Sequence, residues 1–197
     1  MSAKLVRISH TQSGDLRLTV EEEDFPRPTR RTLYIDEESY AAVGSPTAGE
    51  FLEEETLTEL SEAEGRAKAE ERAMRILGYA PCSANTLVKK LRAKGYSRES
   101  AEAATARMMQ KGYLDEEGQA YRLAVLAVGQ KCWGRRRVLA YLRSKGYPTS
   151  LAHEAIARAE EEGEIDFSEA RARLLARHLP EDATPEEKRA LLYKYGY

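Results

Sequence analysis

Glycine punctuates this chain at a fixed interval. Gly78, Gly95, Gly112, Gly129, Gly146 and Gly163 are each seventeen residues apart. Between them, apolar residues recur at helical spacing. A glycine near the end of such a pattern can adopt the left-handed conformation that closes a helix. Tyrosine follows at Tyr79, Tyr96, Tyr113 and Tyr147, where an apolar ring can pack back on the last turn. Gly129 fits less cleanly, because the helical pattern runs past it to about Cys132. Start signals agree with the stops. Ser61 with Glu64, Asp166 with Glu169, and Thr184 with Glu187 have capping-box spacing, and Pro185 sits where a missing N–H costs nothing. Ser83 and Gly134 are candidate N-caps. Cys82 with Leu87 and Trp133 with Val138 have hydrophobic-staple spacing.

Three such helices make a repeat of about fifty-one residues. Leu91-Arg92-Ala93-Lys94-Gly95-Tyr96 recurs as Leu142-Arg143-Ser144-Lys145-Gly146-Tyr147, and more weakly as Leu192-Tyr193-Lys194-Tyr195-Gly196-Tyr197. Leu114-Asp115 recurs as Ile165-Asp166. The predicted organisation is a β-rich extension and linker over 1–60, three-helix repeats over 61–114 and 115–165, and a partial repeat over 166–197 that lacks its last helix. A three-helix unit cannot bury all its apolar surface alone, so the repeats should stack. The expected fold class is mainly α: eight helices over 61–197, in tandem three-helix repeats forming an elongated curved array, with a small N-terminal antiparallel β element. That element is read from Lys4–His10, Asp15–Glu21 and Arg30–Ile35, which alternate apolar and polar residues. Ser13-Gly14 is a turn signal, and residues 45–49 read as a loop.

Charged residues make up 32% of the chain, which suits a molecule with much surface. The net charge of −2 hides a segregation. Residues 1–60 carry 6 basic and 13 acidic side chains, residues 84–146 carry 14 and 5, and residues 147–197 carry 7 and 11. A basic middle between acidic ends is an arrangement that a partner can read. The absence of an apolar run of membrane-spanning length and of a signal-like N-terminus leads to an expected cytoplasmic protein with no membrane partner. Cys82 and Cys132 lie far apart and suggest neither a disulfide framework nor a zinc site.

No catalytic constellation is legible, so the chain is not expected to be an enzyme, and no cofactor or metal is expected. His10, His153 and His178 are dispersed, and no glycine-rich phosphate loop occurs. Glu160, Glu161, Glu162, Glu164 and Asp166 form an acidic run, but helix positions in sequence point in different directions. The run reads as a solvated helix end. The basic middle says more. Arg135, Arg136 and Arg137 crowd a helix N-terminus, where cations oppose the macrodipole by about 0.3–1 kcal/mol each when exposed. An anionic partner would explain them; simple solubility is the plainer reading. Arg136 and Arg143 lie on one side of that helix, and Lys89 and Arg92 on a comparable side of its repeat relative. Lys89, Arg92, Arg135, Arg136, Arg137 and Arg143 are therefore the candidate partner-binding residues. Trp133 could anchor a partner, and the repeated tyrosines could stack on bases. Their places at helix ends favour structural roles.

These motifs resemble the RecX family. Gly112-Tyr113-Leu114-Asp115-Glu116 followed by Ala120 is similar to its signature at the first repeat boundary. Trp133-Gly134-Arg135-Arg136-Arg137-Val138, with Leu142 and Lys145-Gly146, resembles the second repeat. Ala73–Leu77, Leu87, Leu91 and Lys94-Gly95 resemble the first. The strands leading into Leu57-Thr58-Glu59-Leu60-Ser61 resemble the extension of some Gram-positive members. Gln119 departs from the family pattern, which has an aromatic residue there. The resemblance implies a regulator, expected as a monomer, that binds along the groove of the RecA–DNA filament and inhibits its ATPase and strand exchange, with single- or double-stranded DNA inside the filament as a further expected partner. A direct DNA-binding helical module is the competing expectation, supported by the basic middle and opposed by the pI near 6.0.

Overall fold

A computed structural model describes residues 3–11, 14–23 and 27–197. Among them the elements run β1 (Ala3–His10), β2 (Leu16–Glu22), β3 (Thr29–Ile35), α1 (Glu37–Ala42), β4 (Phe51–Leu52), α2 (Glu54–Tyr79), α3 (Ala84–Arg92) and α4 (Arg98–Gln110). They continue as α5 (Glu116–Lys131), α6 (Arg135–Ser144), α7 (Thr149–Glu161), α8 (Phe167–His178) and α9 (Pro185–Tyr195). The mainly helical class, with an N-terminal antiparallel sheet, is as expected. The chain divides into two compact units. One holds Met1–Ile76 and Lys90–Gln110, the other Leu77–Lys89 and Lys111–Tyr197.

In the first unit, the alternation of the N-terminal segments becomes a four-stranded antiparallel sheet of order β3-β2-β1-β4. Leu5, Leu18, Val20, Leu33 and Ile35 fill its inner face, and Leu60 and Ala63 of α2 complete this core. A bulge between Leu5 and Arg7 interrupts the β1–β2 register. The expected turn at Ser13-Gly14 falls partly outside the described residues; Gly14 itself has φ +91°. Residues 45–49 form the expected loop. The short α1 and β4 were not legible in the alternation.

Ser61 does not begin a helix. α2 starts seven residues earlier, at Glu54, and the Ser61 hydroxyl donates to the Leu57 carbonyl one turn back. Glu64, the other half of the expected capping box, is buried instead. It accepts the Tyr34 N–H of β3 at 3.3 Å and the Lys68 ammonium at 2.9 Å. The helix extends upstream because Leu57, Leu60 and Ala63 share the face that covers the sheet.

In the second unit, α5 and α7 meet along alanines. Ala120, Ala124 and Ala127 face Ala152, Ala155 and Ala159, with Val138 and Leu142 of α6 and Leu174 of α8 in the same core. Small side chains let the helices approach closely. The repeated Leu-Asp pair plays one role twice. Leu114 and Ile165 are buried, while Asp115 and Asp166 cap α5 and α8. Thr184 and Glu187 form the expected reciprocal capping box on α9, with Pro185 in the first turn.

The glycine ruler holds at four of its six marks. Gly95, Gly112, Gly146 and Gly163 have positive φ; Gly78 and Gly129 do not. Both of these lie inside helices, α2 and α5, and Cys132 takes the left-handed cap of α5 at φ +52°. The three copies of the Leu-Gly-Tyr closure share one hydrogen bond. Tyr96, Tyr147 and Tyr197 donate their N–H groups to the carbonyls of Leu91, Leu142 and Leu192, at 3.4, 3.2 and 3.0 Å. The tyrosine rings differ. Tyr147 is buried, but Tyr79 and Tyr113 are 94% and 56% exposed and do not pack back.

Candidate partner-binding surface

The basic residues singled out by charge belong to α3 and α6, the two helices whose ends carry the recurring Leu-Arg-x-Lys-Gly-Tyr motif. Within the second unit these helices take part in end-to-end junctions. At the C-terminal end of α6, the Ser83 and Thr86 hydroxyls lie 2.8 and 2.9 Å from the Lys145 carbonyl oxygen, and Asn85 donates to the Gly146 carbonyl at 2.9 Å. The first turn of α3 thereby satisfies carbonyls that a helix end leaves without intrahelical partners. At the other end of α6 a similar junction forms with the end of α9. The Gly134 and Arg136 N–H groups donate to the Tyr195 and Gly196 carbonyls, at 2.8 and 3.1 Å.

This second junction accounts for the crowded arginines. Arg137 donates to the Lys194 carbonyl at 3.0 Å, and Arg136 to the Tyr197 carbonyl. Arg136 also lies over the Tyr193 ring, and Arg137 over Trp133 and Tyr195. Arg135 pairs with Glu160 and covers Phe167. Cations that oppose the dipole of α6 thus face the carbonyl end of α9, where a positive charge is favourable. Trp133 is built into the same cluster, edge-on to Tyr141 at 5.3 Å and covered by Lys131.

Arg143, Lys89 and Arg92 are exposed. In the second unit, Lys89 lies one turn beyond the α3 residues that seat on α6, and Arg143 two residues before the carbonyl they seat on. Arg143 and Lys145 thus lie at the end of α6 away from Arg135, Arg136 and Arg137. Arg92 lies in the first unit. Of the acidic run, Glu160 is taken by Arg135, while Glu162 accepts from Tyr121 and Arg158, which hold its carboxyl below its ordinary range.

Charge segregation did not point to a second basic feature, in the first unit. Lys68, Arg72 and Arg75 line a hollow of about 290 Å³ with Glu71, Lys94 and Tyr96. The i, i+4, i+7 spacing on α2 was readable. That Lys94 and Tyr96, just after α3, would join them depended on tertiary packing.

Residues 69–108 match the family model of the first three-helix domain of RecX. The matched residues span the second half of α2, all of α3 and most of α4. A crystal structure of regulatory protein RecX is similar in fold, with a TM-score of 0.68 and 17% identity over 99% of this chain and 94% of that one. The crystal structure of RecX from Lactobacillus salivarius is similar with a TM-score of 0.56 and 14% identity, over 68% of this chain and 90% of that one. No curated protein sequence matches the chain. The RecX resemblance read from the glycine-tyrosine and tryptophan-glycine motifs is borne out. Gln119 accepts the buried Tyr147 hydroxyl at 3.2 Å.

Proposed function

We propose that this chain is a regulatory protein that binds the RecA recombinase filament and inhibits its ATPase and strand exchange, modulating recombinational repair. The observation that carries the reading is the match of residues 69–108 to the first three-helix domain of RecX. The physical mechanism is multivalent. The repeats read over 61–114, 115–165 and 166–197 would each offer a weak contact, and linked weak sites bind strongly when their spacing fits the target. Lys89, Arg92 and Arg143 are the proposed contacts. Arg135, Arg136 and Arg137 belong to the proposed basic surface as well, but their internal contacts make them supports for it. The protein acts as a monomer in the cytoplasm, as a binding protein and not an enzyme, with no cofactor. The test is RecA ATPase on single-stranded DNA with the full chain titrated in. Dose-dependent inhibition is expected, and undiminished turnover at saturating protein would reject the regulator reading.

A second reading, a direct DNA-binding module, is favoured by the hollow where Lys68, Arg72, Arg75, Lys94 and Tyr96 meet. Tight binding to bare duplex at near-physiological salt, with no effect on RecA turnover, would support it over the first.

A further inference from the structure

The N-terminal sheet buries one face and leaves the other open. Pairing register assigns the open face residue by residue, because directly paired residues share a side. One row runs Phe51, Lys4, Glu21, Arg30 across the four strands; the next runs Arg7, Thr19, Thr32; the third runs Ser9, Arg17, Tyr34. Inner-face pairs such as Leu5 with Val20 and Leu18 with Leu33 confirm the alternation. Four of the six basic residues in positions 1–60 are therefore on this one face, with a single carboxylate, although the segment as a whole carries 13 acidic residues. The remaining central positions are hydroxyl side chains. Phe51 and Tyr34, 62% and 42% exposed, stand at opposite corners.

We propose that this outer face binds single-stranded nucleic acid. Lys4, Arg7, Arg17 and Arg30 supply positive charge for a phosphate backbone, and the two rings supply stacking platforms for unpaired bases. Arg30 is held by Glu21 at 2.7 Å and Lys4 lies over Phe51 at 5.4 Å. Arg7 and Arg17 make no ion pair among the described residues and are ready for an anion. Three strand spacings and four residues of rise put Phe51 and Tyr34 roughly 20 Å apart. That span suits a site of about four nucleotides, the lower end for sheet-based single-strand binders. A duplex hides its base faces and could not use the rings; an acidic peptide could use the charges but has no flat bases to stack. The inference stands on the sheet alone and does not rest on RecA binding.

The experiment is fluorescence anisotropy of a labelled fifteen-nucleotide oligothymidylate with the full chain over a salt series. Binding that weakens with salt is expected. Arg7→Gln with Arg17→Gln should lower affinity at least tenfold and flatten the salt dependence. Phe51→Ala and Tyr34→Ala should each lower it on the order of tenfold. All four sheet residues are exposed, and an unchanged melting temperature is the folding control. No binding at low salt would overturn the proposal. Equal or tighter binding to duplex, to polyglutamate or to anionic vesicles, insensitive to Phe51→Ala and Tyr34→Ala, would overturn it in favour of a purely electrostatic surface.

Discussion

At the residue scale, glycines with one spacing have three different physical justifications. Gly146 has φ +93°, and an added Cβ would stand 2.5 Å from the Ser83 hydroxyl and 2.6 Å from that of Thr86. Gly95 has φ +94° but open space around it. Gly78 is helical with nothing near it. Alanine should therefore act in three ways in chemical denaturation. Gly95→Ala should destabilise by about 1–2 kcal/mol from backbone strain alone. Gly146→Ala should cost more, because the α3–α6 junction must also open. Gly78→Ala should stabilise by roughly 0.5–1 kcal/mol, since glycine is the poorer helix former. Equal effects at 95 and 146 would show that the junction tolerates a side chain. The buried Tyr147 supplies a second residue-scale test. Burial, with the nearby Glu116 charge, pushes its phenol up to about 12, and burial does the same for Tyr197. A phenol whose pKa is raised on folding contributes stability that is complete below its unfolded value near 10 and is lost as pH rises through 12. The melting temperature should fall across that window, and less steeply in Tyr147→Phe. The same slope in both proteins would place the ring in solvent.

Helix ends, not helix faces, carry the distinctive information at the scale of elements. The α3–α6 junction uses two hydroxyls for one carbonyl, so each can cover for the other. Ser83→Ala also removes the acceptor for the Thr86 N–H, a loss of about 1 kcal/mol. Thr86→Val alone should change little, because Ser83 still satisfies Lys145. Together the two substitutions leave a carbonyl without its partners, and the double variant should lose about 1 kcal/mol more than the sum of the singles. Additivity within experimental error would mean that water replaces both hydroxyls without penalty. The α6–α9 junction has no such reserve. An added Cβ at Gly134 would lie 2.5 Å from the Gly196 carbonyl carbon and oxygen, so backbone meets backbone there.

For the whole molecule, the question is which cations are spare. Arg135, Arg136 and Arg137 are occupied by Glu160, by the carbonyls at the end of α9 and by rings, so reversing them tests folding as much as binding. Arg143 of α6 and Lys89 of α3 are exposed. Arg143→Glu with Lys89→Glu should raise the concentration for half-inhibition of RecA turnover at least tenfold while the melting temperature holds. Arg136→Glu should lower the melting temperature through the α6–α9 junction. Full inhibition by the Arg143 and Lys89 double variant would remove that surface from the contact and leave the regulator proposal standing.

Local rules made most of the secondary structure legible. Alternation located three strands within a residue or two, and the Leu-Gly-Tyr motif located three helix ends because its hydrogen bond spans only six residues. Thr184 with Glu187 was readable for the same reason, as both halves of that box lie within one turn. Ser61 with Glu64 has identical spacing and failed, because covering a sheet on one face of α2 outweighs a local cap. Gly78 kept its place in the ruler but lost the left-handed role, since α2 simply runs through it. The arginines show the same division most clearly. Sequence alone establishes that three cations oppose the dipole of their own helix. Only tertiary structure brings the carbonyl end of α9, sixty residues away, to meet them. Charge acts through space, and the distance between those groups along the chain says nothing about their distance in the fold.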